Sequence, residues 1–264
     1  MRAETMSYEM IAYRKTEGTG IVTLNRPEVR NAMNSPMLRE LADVLDRIVE
    51  DPEVRVVVIN GNGKCFCAGG DLAEMRGNTP PQQRQFMDLV TSVFSRIERL
   101  RKPVIASVHN HALAGGTELI LCCDLVVAAD DAVFGLREIV VGILPGGGAL
   151  VRLLRWMGAA KAKELAMTGD PIPAEEAQRI GLVNKVVRRD RLEEETMALA
   201  RKLGKLPPLA LGATKATINQ GGEMDMDKGI AYGVSECLAL FQTEDQKEGM
   251  SAFLEKREPS FRGK

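Results

Sequence analysis

An α/β fold is predicted for this chain by three features. Dense β-branched runs alternate with amphipathic helical patterns through about residue 190. Glycine-rich turns punctuate that alternation. Beyond Asp190 the pattern becomes almost wholly helical. With 264 residues, the chain is long enough to bury a substantial core without disulfides or metals.

The elements follow in order. Residues 8–14 and 20–24 read as strands around Thr16-Glu17-Gly18-Thr19, a hairpin turn. A helix should start with Ser35 as N-cap and Pro36 at its first position, with Leu38, Leu41, Leu45 and Ile48 on one face. Residues 54–59 are a β-branched run suited to a buried strand. After a loop at Thr79-Pro80-Pro81, residues 82–100 are helical, with Phe86, Leu89, Val90, Val93, Phe94 and Ile97 on one face. Residues 103–108 form a strand, and a short helix is expected from Gly115 through Cys123. Residues 125–129 are a strand, 149–157 and 159–167 two helices, and 173–180 a short helix stopped by Gly181. Residues 183–187 return as a strand. The remaining helical pattern is interrupted by Pro207-Pro208 and Gly221-Gly222. The division expected is a core over 1–200 and a helical region over 201–264 that packs on the core or on a neighbouring subunit.

Composition narrows the function classes. Hydrophobic residues make up 45% and charged residues 27%, and the net charge is −1, which gives no electrostatic attraction for nucleic acid or anionic lipid. No apolar run is long enough to span a bilayer. Residues 1–10 carry Arg2, Glu4 and Glu9 and lack an apolar signal core, so a cytoplasmic location is expected. The five cysteines are Cys65, Cys67, Cys122, Cys123 and Cys237, an odd count that argues against a disulfide framework. Cys65 and Cys67 with His109 and His111 suggest zinc only weakly, because each pair has one intervening residue where zinc sites use two to four. Packed thiols are expected there, and no metal.

Two glutamates stand beside glycine-rich runs. Glu118 ends Ala112-Leu113-Ala114-Gly115-Gly116-Thr117-Glu118, and Glu138 lies between Phe134-Gly135-Leu136-Arg137 and Pro145-Gly146-Gly147-Gly148. Upstream is Cys67-Ala68-Gly69-Gly70-Asp71. Paired carboxylates move protons, and backbone N–H groups at a strand-to-helix turn can hold an oxyanion. Gly70 and Gly115 both sit at such turns. Each residue also has a plain structural reading: the glycines as tight turns, Glu118 as a favourable charge at a helix start, Glu138 as an ion-pair partner of Arg137. Neither Pro145-Gly146-Gly147-Gly148 nor Gly61-Asn62-Gly63-Lys64 has the order of a nucleotide-triphosphate loop, and no Gly-x-Ser-x-Gly elbow is present.

Taken together these residues resemble the enoyl-CoA hydratase/isomerase (crotonase) superfamily nearly end to end. The matching stretches include Leu24-Asn25-Arg26-Pro27 with Arg30-Asn31-Ala32-Met33-Asn34, then Phe66 to Leu72, Lys102 to Ala106, Ala112 to Glu118 and Phe134 to Gly148. In the tail they include Thr243-Glu244-Asp245 and Glu248 to Arg257. The resemblance implies a spiral of ββα repeats with a C-terminal helical trimerisation region, commonly assembled as trimers or hexamers. It implies an acyl-CoA thioester substrate, coenzyme A being part of the substrate and no separate cofactor being needed. The Gly70 and Gly115 amides would hold the thioester oxygen. Ala68, Gly70, Asp71, Leu72 and Ala73 would lie along coenzyme A, Gly146 at the start of the following helix, adding its dipole to the reacting region, and Lys256 near phosphates, from its own or a neighbouring subunit.

Two glutamates, rather than one, point to a hydratase. Glu118 would deprotonate water attacking the β-carbon of a trans-2-enoyl thioester, and Glu138 would protonate the α-carbon. Another crotonase-type enzyme, an isomerase or a specialised dehydratase, is the nearest alternative. RNA binding, known in one branch, would want a basic face, whereas the helix after Ser35 carries Glu40, Asp43, Asp46 and Glu50 against Arg39 and Arg47. A catalytically silent assembly subunit would have no use for both acids. Leu136 stands where several hydratases carry a polar residue, which would make the acyl pocket more apolar or simply fill core. His109 and His111 are expected to be structural. The loop over 73–85 is expected to shape the acyl pocket.

Overall fold

The computed structural model describes residues 8–264; residues 1–7, including Arg2 and Glu4 of the N-terminal reading, lie outside the described residues. The strands are β1 (Ile11–Thr16), β2 (Thr19–Leu24), β3 (Val56–Gly61), β4 (Val104–Val108), β5 (His111–Leu113), β6 (Leu125–Ala129), β7 (Val133–Gly135), β8 (Ile172–Pro173) and β9 (Lys185–Val187). The helices are α1 (Ser35–Glu50), α2 (Leu72–Gly77), α3 (Pro80–Arg99), α4 (Gly115–Ile120), α5 (Ala149–Thr168), α6 (Ala174–Arg179), α7 (Leu192–Gly204), α8 (Pro208–Ala216), α9 (Met226–Leu240) and α10 (Glu244–Glu255). The hairpin forms as expected, with Glu17 and Gly18 as its two-residue turn.

The large sheet runs β1-β2-β3-β4-β6-β9 and is parallel except for the hairpin. Its continuous apolar runs are explained by burial on both faces. Along β3, Val57 and Ile59 face the main core with α1 and α3, while Val56 and Val58 face the smaller cluster closed by Leu192 and Ala200 of α7. A second sheet of β5, β7 and β8 stands beside the first. Each repeat gives one strand to the large sheet, then a short extended piece to the second layer, then a helix. Isolated bridges Met33–Gly70 and Cys67–Ala112 continue that second layer, so the glycine runs of successive repeats stack on one another.

Several boundaries differ from expectation for local reasons. Asn34, not Ser35, caps α1: its side-chain oxygen accepts from Met37 N at 3.0 Å, which leaves Pro36 at the second helical position. Ser35 is instead drawn to Glu74, which accepts from both its backbone N–H and its hydroxyl. Much of the expected loop over 73–85 is helical: Asp71 caps α2, and α3 starts at Pro80. Helix α4 stops at Ile120 because Cys122 and Cys123 turn back onto the Leu119 and Ile120 carbonyls. In α5 the two expected helices meet at Gly158, whose φ of 77° breaks the run. Strands β3 and β9 begin two residues later than expected, and α6 begins after Pro173. The C-terminal helices are tied to the core by Lys215 of α8, whose buried ammonium donates to Ile97 O at 3.0 Å and Asp124 Oδ2 at 2.7 Å. Among the described residues, no helix is long and apolar enough to cross a membrane.

Candidate active site

The first half of the site is backbone. Met33 N donates to Gly69 O at 2.8 Å and Asp71 N donates to Met33 O at 2.9 Å. That parallel pattern consumes the groups on either side of Gly70 and turns its own N–H away from Met33. Across the gap, Ala114 (φ 50°, ψ −125°) turns the chain so that Gly115 becomes the first residue of α4. Neither the Gly70 nor the Gly115 N–H has a backbone acceptor among the described residues. The two loops touch: a Cβ at Gly115 would lie 3.4 Å from Gly70 N, and one at Gly69 would lie 3.3 Å from Gly115 N. Two unused donors at such close quarters can grip one oxygen. Gly116 explains the closeness, since a Cβ there would meet Cys67 O at 2.4 Å.

The second half is carboxylate. Glu118, in the first turn of α4, is 4% exposed, and Glu138, at the start of a 3-10 turn spanning Glu138–Val141, is 7% exposed. Their environments differ. Glu118 Oε1 accepts from Ala149 N at 3.1 Å. Burial pushes its carboxyl above the usual range, while the backbone at Ala149 and Gly147 and the Arg152 charge oppose that push. Glu138 Oε2 has no hydrogen-bond partner. Burial raises its carboxyl to about 7, its own backbone amide opposes, and the Glu118 charge adds to the rise. The pair is therefore suited to hold one proton, on Glu138, with Glu118 ionised. The ion pair between Glu138 and Arg137 does not form: Arg137 is exposed and donates to Gly169 O at 3.2 Å.

The structure brings Gly70, Gly115, Glu118 and Glu138 into one region. Ala68 N is used by Arg30 O at 3.0 Å. Asp71 is structural: it caps α2 through Ala73 N at 3.0 Å and pairs with Arg26 at 2.9 Å, which anchors the loop carrying the Gly70 amide. Leu72 is 55% exposed and Ala73 is exposed, forming the outer wall of that loop. Gly146 is not at a helix start. Helix α5 begins at Ala149 with Gly148 as cap, and it is the Ala149 amide that reaches Glu118. Lys256 lies exposed at the C-terminal cap of α10. Leu136 is 1% exposed in the main core. His109 is buried with its ring against Gly63 O, and His111 lies within β5.

Sequence reasoning missed the methionines. Met33 lies against Gly115, Met75 against Gly70 and Met87 against Gly146. Their thioethers give the glycine-lined region a deformable apolar wall. It also missed Arg152, whose signal was a lone cation in the first turn after a glycine run.

The enoyl-CoA hydratase/isomerase family description matches residues 14–264. The chain belongs to that family. It is 42% identical over 257 residues to the crotonyl-CoA hydratase of Syntrophomonas wolfei, covering 97% of this chain and 99% of that protein. It is 41% identical to the short-chain-enoyl-CoA hydratase of Clostridium acetobutylicum, covering 96% and 97%. The crystal structure of an enoyl-CoA hydratase from Bacillus anthracis superimposes with a TM-score of 0.94 at 37% identity, covering 97% of this chain and all of that one. The α/β architecture is thus the crotonase fold.

Proposed function

We infer that this chain is an enoyl-CoA hydratase, a hydro-lyase that adds water syn across a trans-2-enoyl-CoA to give a 3-hydroxyacyl-CoA. The observation that carries this reading is the unequal pair of buried carboxyls beside two unused amides. The thioester oxygen accepts from the Gly70 and Gly115 N–H groups, which stabilise the enolate as it forms. Ionised Glu118 takes a proton from water while the water oxygen bonds to the β-carbon. Neutral Glu138 gives its proton to the α-carbon, so the product gains the elements of water, and the proton taken up by Glu118 returns to Glu138 to restore the pair. Ala68 and Leu72–Ala73 line the coenzyme A moiety, with Lys256 offered to its phosphates.

A stripe of exposed apolar side chains on α9 (Met226, Ile230, Val234, Leu238), with Phe253 and Leu254 on α10, supports a trimer or hexamer. Light scattering on the purified chain tests that assembly. A cytoplasmic location fits five unpaired cysteines, four of them buried, and is tested by cell fractionation.

The central experiment follows loss of enoyl-thioester absorbance with crotonyl-CoA and identifies the product by chromatography. A 3-hydroxyacyl-CoA supports the reading. A shifted double bond without water uptake would replace it with an isomerase. Relatives are named for crotonyl, short-chain-enoyl and 2,3-dehydroadipyl substrates, so a panel of acyl lengths and of acyl groups with and without a terminal carboxylate defines the preferred substrate.

A further inference from the structure

Arg152 stands behind the site, on the first turn of α5, and the reaction as described makes no direct use of it. Its guanidinium is mostly buried and forked onto Glu98 of α3, with Nε to Oε1 at 3.1 Å and Nη2 to Oε2 at 2.7 Å. The free edge of the same fork donates from Nη1 to Gly147 O at 3.0 Å. Gly148 makes room for it: at φ 100°, a Cβ there would lie 2.3 Å from Arg152 Nη1. The peptides so held are the ones that touch Glu118. A Cβ at Gly147 would lie 2.9 Å from Glu118 Oε2, and the Ala149 N–H donates to Oε1. One chain of contacts therefore runs from Glu98 through Arg152 and the Gly147–Ala149 turn to the carboxylate.

We propose that the Glu98–Arg152 pair is a positioning device for Glu118, fixing the turn that cradles its carboxylate and supplying the positive charge that keeps it ionised. A bidentate guanidinium holds orientation as well as charge, which a lysine cannot copy. The other groups around Glu118 are accounted for. Glu138 on the 3-10 turn is raised by burial and by the Glu118 charge, and in its neutral form it adds no charge at Glu118. Cys122 on α4 is a thiol pushed up to about 12 by burial and stays neutral. Lys215 of α8 is engaged with Asp124. Arg152 is then the cation that acts on Glu118, in agreement with the lowering its charge exerts there.

The proposal rests on the hydratase reading for its kinetic test, and the two ends of the ion pair give opposite signs. In Arg152→Met the cation is gone and Glu98 remains, so Glu118 is harder to ionise. The acid limb of kcat against pH moves to higher pH, and kcat falls by about 10²-fold with KM little changed, as expected for a misplaced base. In Glu98→Gln the cation loses its counter-charge and acts more strongly on Glu118, so the acid limb moves to lower pH. Arg152→Lys restores the limb towards wild type without restoring full kcat. General loosening of the fold would move both limbs the same way, or neither, and either result overturns the proposal. Infrared titration of the protonated-carboxyl stretch, taken as each protein minus its Glu118→Gln version, reads the same shifts without turnover. If wild type does not hydrate crotonyl-CoA, the hydratase reading fails while the infrared arm still decides the positioning role. Should Arg152→Met not fold, the Glu98→Gln shift decides it alone: an acid limb and infrared midpoint moved downward support the proposal, and unmoved ones overturn it.

Discussion

Glu118 and Glu138 are both carboxyls under 10% exposed, and burial raises both, yet the two pockets oppose that rise unequally. Around Glu118 the chain supplies the Ala149 N–H and the Arg152 charge. Around Glu138 it supplies apolar burial and an oxygen with no partner. Burial raises both, and the donors and charge around Glu118 hold its rise below that of Glu138. Selective compensation separates them into a carboxylate and an acid, and that separation is what addition of water across a polarised double bond requires.

The largest test of the comparison removes each proton carrier. Glu118→Gln and Glu138→Gln should each lower crotonyl-CoA hydration by about 10²–10⁴-fold, measured as initial rates at saturating substrate. A fall confined to one variant would reduce the pair to a single working acid. Next in size, Gly116→Ala forces a methyl against Cys67 O and displaces the loop that carries the Gly70 amide. We expect about 1–3 kcal/mol lower stability and a kcat loss approaching the 10²–10³-fold typical of a lost oxyanion donor. Unchanged kcat in Gly116→Ala would separate the amides from the chemistry.

The third test uses pH. A carboxyl raised to about 7 in the folded protein favours folding while it is neutral and loses that contribution as pH rises through about 7. Relative to Glu138→Gln, wild type should therefore lose stability between about pH 4.5 and pH 7. The loss is on the order of 3 kcal/mol at roughly 1.4 kcal/mol per pH unit. Urea unfolding at several pH values measures it, and a pH-independent difference would show that Glu138 is not held neutral by its pocket. The smallest effect belongs to Arg137→Gln. Because Arg137 is exposed and bonds to Gly169 O, the base limb of the rate profile should stay where wild type has it. A clear shift would restore Arg137 as the partner of Glu138.

Much of the architecture was legible before the structure. Leu38, Leu41, Leu45 and Ile48 fall on the buried face of α1, and residues 125–129 form β6 as read. Periodicity reports burial directly, so long amphipathic elements are readable. The cap of α1 was misplaced because Asn34 and Ser35 are both good caps by chemistry, and only the distant Glu74 decides between them. The short strands β5 and β7 escaped notice because three residues carry no measurable period, and their pairing comes from stacking of successive repeats.

The site divides in the same way. The residue types are readable along the chain: two carboxyls, the glycines that let loops approach, and enough ordered matches to place the chain in its family. What each carboxyl is depends on packing. Ionisation depends on which donors and charges surround a buried group, and those arrive from Ala149, Gly147 and Arg152, some thirty positions along the chain from Glu118. Glu138 has only its own backbone amide against its desolvation and an Oε2 with no partner, and a carboxyl so poorly solvated keeps its proton.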